Sequence, residues 1–381
     1  MKILAVDIGT GTQDIFLYDS RLDMENGFKL ILPSPTMIVR RQIQDATNHQ
    51  QPIVLTGVTM GGGPATWAAE AHVRVGLPVF ATPSAAQTMN DDLSRVEALG
   101  IQIISEDEVN QLPPEVQRIE MRDFNFPLIL RVFENFHIPL YDLAAVAVAV
   151  FDHGAAPADI SDRQFRINYM NERINKENQL STFAFRSDEI PSILTRLKAV
   201  AGSAHNLPVP LVVMDTAPAA IMGALLDPVT RFHERKMIVN IGNFHTLAFR
   251  LGYDKIEGVF EHHTGFLNRV SLEKYLEQLA DGSLTHEQVF EDHGHGALLV
   301  DDTPLSMDNP DYNVIVTGPR RSLLTGSTLG VYQAVPFGDM MITGCFGLIA
   351  AVADKIPELG DSIRASFTKN AGSGAPPWEL D

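Results

Sequence analysis

The sequence predicts a two-lobed α/β protein with mostly parallel sheets, made by internal duplication, and three observations predict it. Strand-like and helix-like segments alternate along the 381 residues, an order that gives parallel sheets. The opening stretch "VDIGTGTQDIFLYD" at 6–19 returns as "VNIGNFHTLAFRL" at 239–251, with Phe16 falling opposite Phe249. Hydrophobic residues make up 45% and charged residues 20%. That is an ordinary globular balance, in a chain long enough for two or three domains with full cores.

Taken in order, residues 2–8 and 13–19 read as strands joined by a turn at Gly9–Thr12, and "FKLILP" at 28–33 as a third. "PTMIVRRQIQDATNHQ" has helical spacing, and "PIVLTGV" at 52–58 is a buried strand by length and branching. "TMGGGPATWAAEAHVRVG" is a glycine loop opening a helix, with Pro64 in its first turn. A strand near 78–81, a helix over 83–99 and a strand at 100–104 continue the alternation. The polar, proline-broken segment 105–126 reads as a loop or small insertion, and 155–190 as peripheral. Between them "LAAVAVAVF" at 143–151 is a central strand, and 210–228 is a strand, a short turn and a small-residue helix. The second copy repeats the order: hairpin from Met237, strand "IEGVFEH", helix "RVSLEKYLEQLADG", strand "YNVIVTGP" and helix "GDMMITGCFGLIAAVADK".

The net charge of −18 argues against nucleic acid or an anionic membrane as the main partner, since both need a basic footprint. A phosphate ligand stays open, because backbone N–H groups and a metal can hold one. Cys345 is the only cysteine, which excludes an internal disulfide framework and any four-cysteine zinc or iron–sulfur site. The start "MKILAVDIG" lacks the pattern of a secretory signal, and no run of about 18 apolar residues exists. The expectation is a soluble, cytoplasmic protein acting on a small molecule.

Four segments in order resemble the superfamily of acetate and sugar kinases, Hsp70 and actin. Residues 3–19 and 237–251 look like its two phosphate hairpins, and "DTAPAAIMGAL" at 215–225 like the helix crossing between lobes. "VIVTGPRRSLLTGST" at 314–328 looks like its adenosine segment. The closing "GDMMITGCFGLIAAV" also resembles the family's final small-residue helix. The resemblance implies two ribonuclease H-like lobes, a duplicated βββαβαβα unit, around a central nucleotide cleft, with ATP and Mg²⁺ bound between them. It places the first lobe, with inserted segments, at 1–230 and the second at 236–381, with Asp7 and Asn240 facing one another. The chain is also similar to a branch of that superfamily sometimes labelled as related to pyruvate formate-lyase activation. Radical activation of that kind needs three clustered cysteines, and this chain has one.

The hairpins carry the expected chemistry. A glycine turn lets backbone N–H groups approach phosphate, and threonine hydroxyls add donors. Asp7 is the expected magnesium and catalytic acid, with Gly9, Thr10, Gly11 and Thr12 on phosphate. In the second hairpin the resemblance puts Asn240 where the family has aspartate, beside Gly242 and Asn243, with Phe244 and His245 crowding the turn. An amide accepts from metal-bound water but brings no charge. Gly318 and Pro319 belong to the adenosine segment. Asp215 falls where Hsp70 proteins orient the attacking water; Asp152, at a strand end, is the rival general base or a plain cap.

Histidines cluster in "FDHG", "EHHTG" and "EDHGHG", and a weaker alternative is a metal site of His153, His262, His263 and His293, with surface histidines the commoner outcome. "TMGGGPAT" at 59–66 suits an anion or is a simple helix start. The leading reading is an ATP-dependent phosphotransferase or ATPase. Its rivals are a nucleotide- or metabolite-sensing protein with a decayed second site, and a histidine–carboxylate metal enzyme in the same cleft.

Overall fold

The computed structural model describes residues 1–368 and 376–379. Its strands are β1 (Lys2–Ile8), β2 (Thr12–Asp19), β3 (Phe28–Pro33), β4 (Ile53–Gly57), β5 (Val79–Ala81), β6 (Gln102–Ile103), β7 (Gln117–Met121) and β8 (Leu143–Val150). They continue as β9 (Ala184–Arg186), β10 (Leu211–Asp215), β11 (Arg235–Ile241), β12 (His245–Gly252), β13 (Lys255–His263), β14 (Gly296–Leu299), β15 (Val314–Thr317) and β16 (Val331–Gln333).

The first sheet runs β3-β2-β1-β8-β10-β9 and the second β14-β13-β12-β11-β15-β16. In each, an antiparallel trio (β1–β3, β11–β13) lies beside a parallel trio (β1-β8-β10, β11-β15-β16). This repeated strand order is the ribonuclease H-like unit of the actin-like ATPase fold. The strands are near-continuous apolar runs because both sheet faces are covered. In β1, Leu4, Val6 and Ile8 face a core shared with Ile238, Leu247 and Phe249 of the second lobe. Ile3 and Ala5 face the helices Thr343–Lys355 and Pro357–Thr368. The chain therefore returns to the first lobe after Met340, although the sequence assigns everything beyond 236 to the second.

Two local expectations change and a third is resolved. The helix expected over 83–99 is two, Pro83–Ala86 and Leu93–Ala98, separated by "QTMNDD". Of the two expectations for 105–126, a loop or a small insertion, the structure bears out the insertion: a capping box of Ser105 and Glu108 starts a helix, and β7 pairs in parallel with β4. It completes a third, four-stranded sheet, β6-β5-β4-β7, inserted in the first lobe. Residues 155–190 are not peripheral, because the helix Asp162–Lys176 buries Arg166, Ile167, Tyr169, Met170 and Ile174 between the lobes. Among the described residues no helix is long and apolar enough to cross a membrane.

Candidate functional site

A cavity of about 990 Å³ opens between the lobes and the inserted sheet. It is near the upper end of the range of ~300–1,000 Å³ typical of small-molecule sites. Both hairpin turns line it, as do Asp7, Asn240, Gly318 and Pro319. The hairpin tips approach one another: a Cβ on Gly11 would lie 2.8 Å from Asn243 Nδ2.

Asp7 sits on the face of β1 covered by the first turn of the helix Thr343–Lys355, so close that a Cβ on Gly344 would strike its carboxylate. A helix start favours negative charge there. Thr216 Oγ1 donates to Asp7 Oδ1 at 2.5 Å. Asp14, which sequence reasoning passed over, is the cross-strand partner of Asp7. Burial raises the Asp7 carboxyl to about 6 and, with the Asp7 charge added, the Asp14 carboxyl to about 8. Asp14 Oδ1 is buried with no hydrogen-bond partner. Two desolvated carboxylates beside a glycine turn, one with an orphaned oxygen, fit a magnesium ion held by one or two acids and its own waters. Asn240 lies across the cavity, its Oδ1 2.5 Å from where a Cβ on Gly318 would stand, so the φ of +98° at Gly318 and the absence of a side chain there are both needed.

The two other acids expected to act on substrate have both oxygens engaged. Asp152 accepts from Gly154 N–H and Leu197 N–H, each at 2.8 Å, so it anchors the loop after β8. Asp215 caps the helix Thr216–Ala224 through Ala217 N–H and pairs with Arg166, whose Nη1 lies 2.6 Å from Oδ2. Arg166 is 2% exposed and reaches across the lobes, its Nε 2.7 Å from Glu261 Oε2, with its guanidinium 4.0 Å over the Phe151 ring. The glycine loop at 61–63 lines the cavity, with Gly61 N–H donating to Asp123, itself paired with Arg196.

The histidines regroup. His153 meets His245 and His295, with a ring nitrogen of each within 4.8 Å of the others. His153 Nε2 and His295 Nε2 are 3.1 Å apart. His263 flanks them, its ring 4.7 Å from that of His295 and 5.0 Å from that of His245. The set expected from sequence does not assemble. His262, next along β13, turns to the opposite face beside Tyr275 and Asp292, and His293 (φ +66°) stands against Phe266. Strict alternation along β13 would have separated His262 from His263. His295 stood in the segment "EDHGHG" and His245 in "GNFHT", so both signals were present.

Over residues 60–323 the chain matches a family described as "Putative pyruvate format-lyase activating enzyme (DUF1786)", and it belongs to that family. Cys345 is buried in the helix Thr343–Lys355, and no second cysteine exists to join it. Curated protein sequences contain no match. Among solved structures it is similar to the ethanolamine utilization protein EutJ from Carboxydothermus hydrogenoformans, at 11% identity, covering 91% of this chain and 89% of that one, with a TM-score of 0.31. It is also similar to the activator of 2-hydroxyisocaproyl-CoA dehydratase from Clostridium difficile with bound ADPNP, at 10% identity, covering 97% and 99%, with a TM-score of 0.34.

Proposed function

We propose that this chain binds a magnesium–nucleotide complex in the interlobe cavity and is an ATP-dependent phosphotransferase or ATPase. The observation that supports it best is the buried Asp7–Asp14 pair at the mouth of the first hairpin, which holds two carboxylates at a desolvation cost and leaves Asp14 Oδ1 unpartnered. A divalent ion there offsets that cost. Gly9 N–H closes the turn onto the Thr12 carbonyl, leaving Thr10, Gly11 and Thr12 to supply backbone and hydroxyl donors for phosphate, and Gly242 and Asn243 approach from the other lobe. Gly318 and Pro319 form the adenosine wall in this reading. When bound, the nucleotide supplies a transferable phosphoryl group; the chain positions it, balances its charge and excludes water.

The acceptor substrate is a small molecule reached through the inserted sheet's side of the cavity, where Thr59 to Gly63 and Gln87 to Asp92 line the wall. A second reading is a nucleotide- or metabolite-sensing protein without turnover. It is favoured by Asn240 in place of an acid and by Phe244, which packs against Trp67 at 6.0 Å and narrows the turn. Calorimetry with ATP and Mg²⁺ tests the proposal. The expected result is binding heat that requires both, weakened at least ~10-fold by Asp7→Asn, the equivalent of about 1.4 kcal/mol. No heat from the wild-type chain with millimolar Mg·ATP overturns it.

A further inference from the structure

We propose that His153, His245 and His295 form a binding site for one divalent first-row transition-metal ion, zinc or a near neighbour, at the interlobe floor of the cavity. The site is distinct from the magnesium–nucleotide position at Asp7 and Asp14 and goes beyond the proposed function.

Geometry comes first. Two imidazole nitrogens bound to tetrahedral zinc at 2.0–2.1 Å stand roughly 3.4 Å apart. The His153 and His295 Nε2 atoms are 3.1 Å apart, and the third nitrogen lies within 4.8 Å of both. Small side-chain adjustments would bring all three onto one ion. The rings are already fixed. Phe151 stacks on His245 at 4.1 Å and meets the edge of His153 at 4.7 Å, while His153 and His295 stack at 5.3 Å.

Polar satisfaction points the same way. His245 Nε2 is buried with no hydrogen-bond partner. An imidazole nitrogen buried without a partner costs free energy that a metal bond or a proton partner removes. Three neutral imidazoles are also the donor set that suits zinc, iron, cobalt, nickel or copper rather than magnesium.

Beneath the histidines, two buried carboxylates, Asp215 and Glu261, share one guanidinium, that of Arg166. Glu261 Oε1 lies 3.6 Å from His295 Nε2. Glu261 is thereby a carboxylate within reach of the histidine cluster, able to accept from the imidazole that would hold the ion. His153 and His245 both line the cavity, so the bound ion would keep a coordination position open to it for water or a substrate donor.

The experiment is Co²⁺ titration of the chelator-treated full chain, followed by visible spectroscopy and competition with Zn²⁺. One Co²⁺ per chain is expected, with the ligand-field bands of a four- or five-coordinate nitrogen–oxygen site, displaced stoichiometrically by Zn²⁺. His245→Gln and His153→Gln, both on the cavity wall, should each weaken binding by at least about tenfold, and His262→Gln should leave it unchanged. Unaltered affinity in the two cavity-wall variants, or no bound Co²⁺ in a wild-type chain shown folded by circular dichroism, overturns the site. Asp7→Asn should weaken Mg·ATP binding at least about tenfold while keeping Co²⁺, so failure of the nucleotide reading and failure of this one are separable.

Discussion

Asp14 is the residue that most alters the chemistry of the cleft. It lies within an almost wholly buried strand, and its carboxyl is raised from 3.8 to about 8 by burial first and by the Asp7 charge second. The folded chain therefore keeps a proton that the unfolded chain has released between about pH 4 and pH 8, so this group contributes stability that is lost as pH rises through that window. A cation favours the ionised carboxylate and reverses the trend. In EDTA the melting temperature of the wild-type chain should fall from pH 6 towards pH 8.5, and Mg²⁺ should restore more of it at the higher pH. Asp14→Asn should flatten the fall and abolish the Mg²⁺ effect; thermal melts across pH check both, and a Mg²⁺ effect equal in the variant sinks the assignment. Asp7 was legible because it closes a strand at a glycine turn. Asp14 was not: inside "TQDIFLYD" it reads as one polar break in a strand, and only the register with Asp7 shows two acids on one face.

At the scale of elements, one feature closes the first lobe and another ties the two lobes together. The helices Thr216–Ala224 and Thr343–Lys355 cross at van der Waals contact through Gly223 and Gly347. A Cβ on either would overlap a backbone carbonyl oxygen, of Thr343 and of Ala219 respectively, and backbone cannot step aside. Gly347→Ala should destabilise by about 3 kcal/mol, the upper part of the overpacking range, read in urea unfolding; a loss under about half a kcal/mol contradicts the crossing. The helix Asp162–Lys176 brings Arg166 between Asp215 and Glu261. Arg166→Ala strands two buried carboxylates and should cost about 3–5 kcal/mol, with Asp215→Asn/Glu261→Gln in the same background recovering part of it. Both small-residue helices were readable from their composition. The Arg166 helix was not, because its buried face mixes arginine and tyrosine with isoleucine and methionine and so lacks a clean 3.6-residue apolar period. β7 was hidden for a related reason: "QRIEM" buries only Ile119 and Met121, and its place is set by pairing with β4.

For the whole molecule, the duplicated strand order was legible because the hairpin signature occurs twice, while the insertion was only partly so. Two lobes with unlike hairpins divide the labour of the cleft in a way that can be measured. The first hairpin offers acids, glycines and threonines; the second offers Asn240, Gly242 and Asn243, with Phe244 and His245 crowding it. Since Asn243 stands against Gly11, a triphosphate gripped by both hairpins must part the tips or replace that contact with its own oxygens. Either way, backbone amides on both sides become shielded together. Hydrogen exchange with Mg²⁺ and a non-hydrolysable ATP analogue should therefore slow at residues 9–12 and 242–245 in the same concentration range, with the slowing at both lost in Asp7→Asn. Ligand at 100 times its dissociation constant should also add about 2.7 kcal/mol of stability. Slowing confined to 9–12 would mean that the nucleotide is held by one lobe only, that Asn240 and its turn have left phosphate binding, and that the chain senses nucleotide without turning it over. Slowing at both hairpins with no phosphate released over hours would place the defect at Asn240 itself. Asn240→Asp, which returns a charge beside the ion, should then raise hydrolysis by a factor on the order of ten.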